Sequence, residues 1–537
     1  MLIFVSLRLP GLTLPYHQDE WKTVQGVKLG ATGASGLYHP PLTQLLYRAG
    51  YRLVGPSHLR LLPFIFSIIS ALLLWLIIKR RFSWKVASVC LFIYASSFYS
   101  VWSSLMVDTD GAILPAIFLL VVFTYDQARS ASGRWRYFWW GVTLISLLTG
   151  WLVKLSFIIV LATLLLDFII GHSRGIKKKQ LIYGSLAFVG TVVVFVVSIF
   201  VIHLIYPAFS TKGMIDHAMS FVNFTNRNYL QIVVQALKAV MYLSPLLILP
   251  LFYLDRSIFT KLRLFFIFFG LGLVFYFVLF DFSAGALDKY LMFTVVSLSI
   301  ISGAIIGVNL KSVSRLNLWL GSLLGVIFSI SLFGLNFLAH DLIPLYPKTD
   351  WFVRAITGHW FFLNPFTGGS GPLGFYVSFL FIVLAFLISF GFILFGYFRP
   401  RWRPGMLISV LLIGLIYNGV FIEELVYGRI NGSAPEVLHE ALSFIADNKE
   451  IKQVITYNDI GAFELTALNK YGGRFYAAPQ FEQSHIERFA AFSGEYLVVN
   501  IPLLYQAGFY GKFFSSCQTI FETRSDRIEA KVYHCPS

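Results

Sequence analysis

Charged residues are scarce in this sequence of 537 amino acids, because Asp, Glu, Lys and Arg together make up only 13% of it. Hydrophobic residues make up 57%, and the mean hydropathy is +0.73. A soluble globular domain contains about 25% charged residues. The composition therefore excludes a soluble enzyme and indicates an integral membrane protein with several spans.

Cysteine is also rare, with three in the whole chain. No Cys-x-x-Cys or His-Glu-x-x-His motif occurs, so no metal site is indicated by spacing. Cys90 falls within an apolar run and is expected to be a small core residue. Cys517 and Cys535 lie outside the apolar runs, which leaves them as the candidates for a disulfide.

Thirteen apolar runs are separated by short polar connections, and each run is read as a membrane helix. The runs cover residues 2–14, 59–78, 86–103, 112–125, 138–153, 156–170, 181–205, 232–254, 264–280, 290–308, 318–338, 373–398 and 406–422. We therefore expect an all-α polytopic membrane domain over residues 1–422, with about thirteen transmembrane helices.

Basic residues are concentrated in alternate connections. Six connections that would lie on one side of the membrane hold 19 Lys and Arg, which is the bias typical of cytoplasmic loops. The net charge of +16 is therefore explained by membrane orientation, and nucleic-acid binding is discarded. This pattern places the N-terminus inside, and the polar loop 15–57 outside.

Residues 423–537 differ from the rest of the chain, with 10 Lys and Arg against 14 Asp and Glu, whereas residues 1–422 have 32 against 12. This composition predicts a small extracytoplasmic α/β domain. The expected elements are helices over 435–447 and 460–468, strands over 453–457 and 496–500, a turn at Gly472 and Gly473, and a hairpin over 517–535.

The predicted hairpin suggests a disulfide. If paired residues have numbers that sum to 1052, the turn is centred on Asp526, and Thr519 faces Tyr533 while Phe521 faces Lys531. The same register places Cys517 opposite Cys535. An oxidising location outside the membrane favours their bond.

Polar residues on the predicted outer side are the candidates for chemistry. Asp19 and Glu20 follow the first apolar run, and His39 comes about twenty residues later. Leucines from Leu42 onward recur at helical spacing, which predicts an amphipathic helix along the interface. An isolated pair such as Asp19 and Glu20 is more often solvated or used for helix capping. Its position and the neighbouring motifs must therefore decide between such a role and a catalytic one.

Further short motifs fall at the predicted outer ends of the spans. Together with Asp19 and Glu20 they are His39-Pro40-Pro41-Leu42, Arg60-Leu61-Leu62-Pro63, Asp108-Thr109-Asp110, Lys154 and Asp288-Lys289-Tyr290-Leu291. In order and sidedness they resemble the membrane C-type glycosyltransferases that use polyprenyl-phosphate sugars, namely the protein O-mannosyltransferase and aminoarabinose-transferase-like superfamily. The resemblance covers nearly the whole chain and implies the C-type glycosyltransferase fold.

This resemblance implies inverting transfer of one sugar, a hexose or a pentose, from a polyprenyl phosphate to an acceptor hydroxyl at the outer face. It places the reactive carboxylate at Asp19 or Glu20. Asp19 is the preferred general base, and Glu20 would orient acceptor or sugar hydroxyls. His39 would contact the donor phosphate or sugar, or else act as a local cap.

The donor phosphate would be bound by Lys154, Lys289 and Tyr290, because ammonium and hydroxyl groups stabilise phosphate oxygens. The alternatives are that Lys154 only snorkels to the interface and that Lys289 and Tyr290 are ordinary interfacial anchors. Asp108 and Asp110 would support loop geometry, stay solvated, or bind a divalent cation with Asp19. The metal therefore stays unassigned.

A second outer loop, residues 339–372, contains Trp351, His359, Trp360 and Asn364. These side chains combine stacking surfaces with polar groups, and contact with the acceptor or a sugar is one interpretation. The aromatic residues elsewhere, including most of the 54 Phe, are assigned to lipid contact and core packing.

The sequence thus favours a multi-pass glycosyltransferase, in the plasma membrane of a prokaryote, whose acceptor is a protein, a lipid or a cell-envelope glycan. The alternative is a polytopic transporter or flippase for lipid or sugar without transfer chemistry. A transporter would place charges or broken helices near the bilayer midplane in related halves. Here the notable polar residues cluster at outer ends and no two halves match.

Overall fold

The computed structural model describes residues 1–28, 40, 42–172, 178–205, 210–220, 222, 227–280, 287–339, 341–345, 347–366, 374–456, 459–475 and 482–535. Within these residues the chain is mostly helical. The α-helices in chain order are α1 Leu2–Ser6, α2 Gln18–Lys28, α3 Leu42–Val54, α4 Leu61–Arg81, α5 Trp84–Ser96, α6 Phe98–Leu105, α7 Leu114–Ser130, α8 Gly133–Val153, α9 Ile158–His172, α10 Lys178–Ile205, α11 Thr211–Ser220, α12 Tyr229–Ile248, α13 Arg256–Val274, α14 Leu287–Asn309, α15 Arg315–Gly334, α16 Lys348–Ile356, α17 Phe379–Phe398, α18 Arg403–Val426, α19 Ala434–Asp447, α20 Asp459–Ala467, α21 Glu482–Ala490 and α22 Phe509–Ser515.

Most of the described residues in the apolar runs predicted as spans are helical, and an exception is the strand Phe375–Ser378 inside the run 373–398. Among the described residues, eight helices are long and apolar enough to cross a membrane, and α5 with α6 makes a ninth if this pair, bent by 64°, is one span. Three shorter apolar helices lie at Leu2–Thr13, Leu155–Gly171 and Val189–Leu204. The polytopic helical architecture is therefore confirmed, and the total of thirteen spans stays a prediction.

The chain divides into two compact units, and the first consists of Met1–Leu12, Lys22–Ser322 and Phe392–Val410. Its centre is α14, which is buried over almost its whole length and packs against α5, α12 and α13. A Cβ at Gly303 would lie 2.6 Å from Cys90 Cα, so glycine at this position allows α14 and α5 to approach closely. Cys90 is fully buried, as expected for a core residue.

The second unit consists of Thr13–Trp21, Leu323–Gly391 and Leu411–Ser537. It contains the strands β4 Val454–Thr456, β5 Tyr471–Arg474, β6 Glu495–Val499, β7 Gln518–Ser525 and β8 Ile528–His534. They form one five-stranded sheet in the order β5-β4-β6-β8-β7. Strand β4 pairs in parallel with β5 and β6, and strand β8 pairs antiparallel with β6 and β7. One face of the sheet buries apolar residues of α19, including Val437, Leu438 and Ile445. The predicted small α/β region at the C-terminal end is confirmed.

The predicted turn at Gly472 and Gly473 is wrong, because both residues lie in strand β5. Gly473 has a positive φ of 146°, which side chains rarely adopt. The two glycines therefore allow β5 to follow an irregular path, and its register against β4 shifts between Val454 and Ile455.

The hairpin of β7 and β8 follows the predicted register only at its open end. Thr519 pairs with Tyr533, but an irregularity before Phe521 shifts the pairing by one residue, so that Phe521 faces Val532 and not Lys531. Cys517 and Cys535 lie next to the unshifted pairs and form a disulfide, as the hairpin predicted.

The predicted outer loop 339–372 has its own structure. It contains β1 Asp341–Leu342, α16 and β2 Phe362–Phe366, and β2 pairs antiparallel with β3 Phe375–Ser378. The next helix, α17, begins at Phe379 and not near residue 373 as expected. The apolar residues Phe375, Tyr376 and Val377 are buried strand residues, which is why an uninterrupted apolar run did not reveal the helix start.

Candidate functional site

A buried cluster of charged side chains lies in the first unit, at the predicted outer ends of three spans. It contains Asp108 and Asp110 before α7, Lys154 between α8 and α9, and Lys289 in the first turn of α14. The sequence singled out each of these four residues separately. The structure brings them together.

The two aspartates are positioned by a tight helix start. Asp108 Oδ1 accepts a hydrogen bond from Thr109 N at 2.7 Å, and a π-helical turn, Thr109–Ile113, then leads into α7. A Cβ at Gly111 would lie 2.5 Å from Ser103 O. Glycine therefore lets this turn pack closely against α6, and Asp110 beside it is fully buried.

Lys154 occupies a break between two helices. Its backbone is extended, with φ −157° and ψ 139°, directly after α8 ends at Val153. The ammonium group forms an ion pair with Asp110 Oδ2. Lys289 Nζ lies 2.9 Å from Asp108 Oδ2, so each lysine is held by one aspartate.

Three tyrosines lie at the cluster, and the Tyr290 ring is near both lysines. Lys154 Nζ lies 4.7 Å from the centre of the Tyr290 ring, and Lys289 Nζ lies 5.9 Å from it, distances at which a ring face attracts a cation. The Tyr276 ring is 6.0 Å from that of Tyr290. Tyr47 of α3 donates a hydrogen bond from its hydroxyl to Asp108 O at 2.9 Å.

Electrostatics favour the charged forms of Asp108 and Lys154. Burial alone raises the pKa of Asp108, but the ammonium groups of Lys289 and Lys154 outweigh burial, and the pKa lies below its ordinary value. Burial alone lowers the pKa of Lys154, but Asp110, Tyr290 and Asp108 together outweigh burial, and this pKa lies above its ordinary value. Opposite charges at short range favour both ionised forms. The four groups thus carry a formal net charge of zero.

One oxygen of the cluster has neither a hydrogen-bond nor an ion-pair partner in the described part of the chain. This atom is Asp110 Oδ1, which is buried. A buried acceptor without a partner costs free energy, about 1–3 kcal/mol for a neutral group and more for a charged one. An oxygen of this kind suits a hydroxyl of a bound ligand.

Tyr47 and Tyr276 were not identified from the sequence. Tyr47 belongs to the predicted amphipathic helix, where Leu45 and Leu53 are exposed and Tyr47 is buried. Its place on the buried face of that helix was the available signal. Tyr276 is an isolated hydroxyl in an apolar run, and its proximity to Tyr290 depends on tertiary packing.

The first outer segment, which carries Asp19 and Glu20, belongs partly to the second unit. Glu20 is buried, and its Oε2 accepts a hydrogen bond from His17 N at 2.8 Å. His17 directly precedes α2, so Glu20 at the third helical position caps the helix in the manner of a capping box. For Glu20 the structure thus supports the helix-capping interpretation.

The same segment contacts the C-terminal region. Trp21 stacks on Phe463 of α20, with ring centres 5.4 Å apart, and Tyr16 meets Trp21 edge-on at 5.8 Å. The start of α2 is therefore fixed by aromatic packing within the second unit. Asp19 occupies the second position of α2, and the placement of its side chain, like the whole of His39, lies outside the described residues.

The candidate acceptor residues of the loop 339–372 do not form one open site. Trp351 is buried and donates a hydrogen bond from Nε1 to Asn364 Oδ1, so these two side chains satisfy each other. Trp360 Nε1 donates to Ala355 O at 2.8 Å, and His359 Nδ1 lies 2.8 Å from Thr357 Oγ1. His359 is exposed and Trp360 is half-buried, so these two could still meet a ligand.

No group of three or more His, Cys, Asp or Glu side chains within the described ranges could hold a metal ion. Asp108 and Asp110 face lysines, and this pairing makes them poor ligands for a cation. The metal suggested for them therefore has no support among the placed side chains.

The fold is similar to that of two solved structures of ArnT. The chain has a TM-score of 0.56 and 14% identity to ArnT from Cupriavidus metallidurans in the apo state, over 99% of this chain and 97% of that one. For ArnT from the same organism bound to undecaprenyl phosphate, the TM-score is 0.55 and the identity 13%, over 99% and 96% of the two chains. At this identity the likeness establishes the fold, and the predicted C-type glycosyltransferase fold is confirmed.

A sequence match points to the same group of proteins. Residues 38–203 match the family model of dolichyl-phosphate-mannose-protein mannosyltransferase. This range includes Asp108, Asp110 and Lys154. No curated protein sequence matches the chain. The resemblance to membrane transferases that use polyprenyl-phosphate sugars, inferred from short motifs, is thus confirmed by an independent match and by the fold.

Proposed function

We propose that this protein is an inverting glycosyltransferase that moves one sugar from a polyprenyl phosphate to an acceptor hydroxyl at the outer membrane face. The buried cluster of Lys154, Lys289, Asp108 and Asp110 beside Tyr290 carries the proposal. A related fold holds undecaprenyl phosphate in the ArnT structure. Lipid-phosphate binding by this chain is the inference drawn from both observations.

The chemistry explains why lysines are needed. The acceptor oxygen bonds to the anomeric carbon, the bond from that carbon to the phosphate oxygen breaks, and the polyprenyl phosphate departs with the bonding electrons. Negative charge on the phosphate therefore grows during the reaction. Cations fixed beside it stabilise the transition state more than the bound donor, which is the requirement for catalysis.

The ion pairs preorganise the two ammonium groups. Asp110 engages one of the three N–H donors of Lys154, and the others can bind phosphate oxygens. Because aspartates hold both lysines in place, little side-chain entropy is lost when the donor arrives. Asp110 Oδ1 would accept a hydrogen bond from a hydroxyl of the donor sugar.

The general base in this proposal is Asp19. A hydroxyl is a weak nucleophile, and a carboxylate within hydrogen-bond reach removes its proton as the new bond forms. Glu20 is the less suitable base because its Oε2 caps α2. The sugar, the length of the prenyl chain and the acceptor class are to be identified by experiment.

The test compares two variants of the purified full chain in the same lipid. Lys289→Ala should weaken binding of the polyprenyl-phosphate donor, because its partner is the phosphate present before reaction. Asp19→Asn should bind the donor normally and transfer its sugar about 100- to 10,000-fold more slowly. Lys452→Ala, at an exposed lysine of the C-terminal region, is the control for charge removal.

Mass spectrometry of prenyl-linked sugars and cell-envelope glycans, with and without the gene, identifies donor and acceptor. Donor that is bound or moved across vesicles without loss of its sugar would contradict the proposal and favour a flippase. Normal donor binding by Lys289→Ala would show that the cluster does not hold the phosphate.

A further inference from the structure

A second charged cluster lies in the first unit, at the opposite ends of the spans from Lys154 and Lys289. It surrounds a cavity of about 270 Å³. Its basic members are Arg81 at the end of α4, Arg129 at the end of α7, and Lys261 and Arg263 near the start of α13. The topology predicted from loop charge puts all of these ends on the inner face.

Two aspartates partly neutralise these four cations. Asp126 accepts from Arg81 Nε at 3.0 Å and from a terminal nitrogen of the same guanidinium at 2.8 Å. Asp167 lies 2.7 Å from Arg263 and 3.3 Å from Arg129. Four positive and two negative groups line the cavity, which leaves a formal charge of +2.

The uncompensated charge resides mainly on Lys261 and Arg129. No carboxylate of the described ranges forms an ion pair with Lys261, whose ammonium lies 4.9 Å from the centre of the Phe82 ring. Arg129 is 49% exposed, and its contact with Asp167 is the longer of the two that Asp167 makes with arginines. Both cations could therefore turn towards a ligand without breaking the tighter pairs.

We propose that this cavity binds a phosphate group, with the headgroup of an anionic lipid of the inner leaflet as its main source. Basic pockets between membrane helices on the cytoplasmic side typically hold such headgroups. The volume lies just below the range for ligand pockets, about 300–1,000 Å³, which suits a headgroup and not a whole lipid. Leu264 lines the cavity and Phe259 is exposed on the same helix, so acyl chains would meet an apolar surface.

Two variants test this site without leaving a buried carboxylate unpaired. Lys261→Gln removes a cation that has no ion-pair partner in the described ranges, and Arg129→Gln leaves Asp167 its pair with Arg263. Arg256→Gln is the matched control, because Arg256 is exposed on the same helix and does not line the cavity.

The full chain is placed in nanodiscs of phosphatidylcholine with and without phosphatidylglycerol, and retained lipid is measured by native mass spectrometry. Each test variant should bind phosphatidylglycerol about fivefold more weakly than wild type and the control. A separate titration with inorganic phosphate distinguishes the sources: protection against heat by phosphate, without lipid retention, would assign a soluble phosphate ligand and overturn the lipid source.

Equal retention of phosphatidylglycerol by wild type and both variants, with no effect of inorganic phosphate, would overturn the proposal altogether. The cluster would then only tie four helix ends together. Sugar transfer is not measured in this experiment, so its outcome is independent of the proposed catalytic function.

Discussion

The carboxylate of Glu20 accepts a hydrogen bond from the backbone N–H of His17, with 2.8 Å between Oε2 and N. This hydrogen bond caps the N-terminus of α2, so Glu20 has a structural role. Asp19, at the second position of the same helix, is thereby the better candidate for proton transfer. The two acids can be separated by conservative substitution.

We expect Glu20→Gln to retain most of the transfer activity, because glutamine at the third helical position can accept the same hydrogen bond. Asp19→Asn preserves size but removes the basic oxygen, and its turnover should fall about 100- to 10,000-fold. Turnover of purified variants with a polyprenyl-phosphate sugar measures the difference. An inactive Glu20→Gln beside a nearly normal Asp19→Asn would move the base by one residue, and two active variants would make the segment purely structural.

The sequence predicted the members of the outer charged cluster but not their pairing. Asp108, Asp110, Lys154 and Lys289 could each be selected because ionisable residues near membrane spans are costly and rarely accidental. Which lysine meets which aspartate depends on how α7, α8 and α14 pack, and local sequence does not determine this. The inner cluster was not predicted from the sequence. Asp167, a lone acid inside an apolar run, was the signal that could have indicated it.

The fold was predicted correctly where the spacing of apolar residues and the hydropathy gave clear signals. Apolar runs identified the helices, and the hairpin placed Cys517 opposite Cys535. It failed where a local irregularity intervened, since one extra residue before Phe521 shifted the rest of the hairpin by one position. It also failed where buried strand and buried helix share one apolar run, as at Phe375 and Phe379, because hydropathy alone does not distinguish them.

The Lys154 and Asp110 pair should show non-additive effects on stability. Lys154→Met alone leaves a buried carboxylate without its cation, which typically costs about 3–5 kcal/mol. The double variant Lys154→Met with Asp110→Leu removes both charges, and its stability should recover towards wild type while donor binding is lost. Thermal unfolding in detergent and a donor-binding assay test this, and a double variant that binds donor normally would exclude Lys154 from phosphate recognition.

The predicted orientation can be tested with reporter fusions. Loop charge places residues 423–537 outside and the basic connection around Lys179 inside. A reporter that is active only outside should function after Ser433 and be inactive after Lys179. The opposite pattern would reverse the sidedness of both charged clusters, and with it the assignment of the transfer site to the outer face.

The disulfide between Cys517 and Cys535 should stabilise the C-terminal hairpin. The two residues are 18 positions apart, and closing a loop of this size contributes about 3 kcal/mol in the chain-entropy model. Alkylation followed by mass measurement of natively expressed protein should find Cys517 and Cys535 unmodified before reduction and modified after it. The double variant Cys517→Ser with Cys535→Ser should lower the unfolding temperature of the C-terminal region, and Cys90→Ala, at the buried free cysteine, controls for loss of a thiol. Two reactive thiols in unreduced protein would contradict both the bond and the oxidising location inferred for this region.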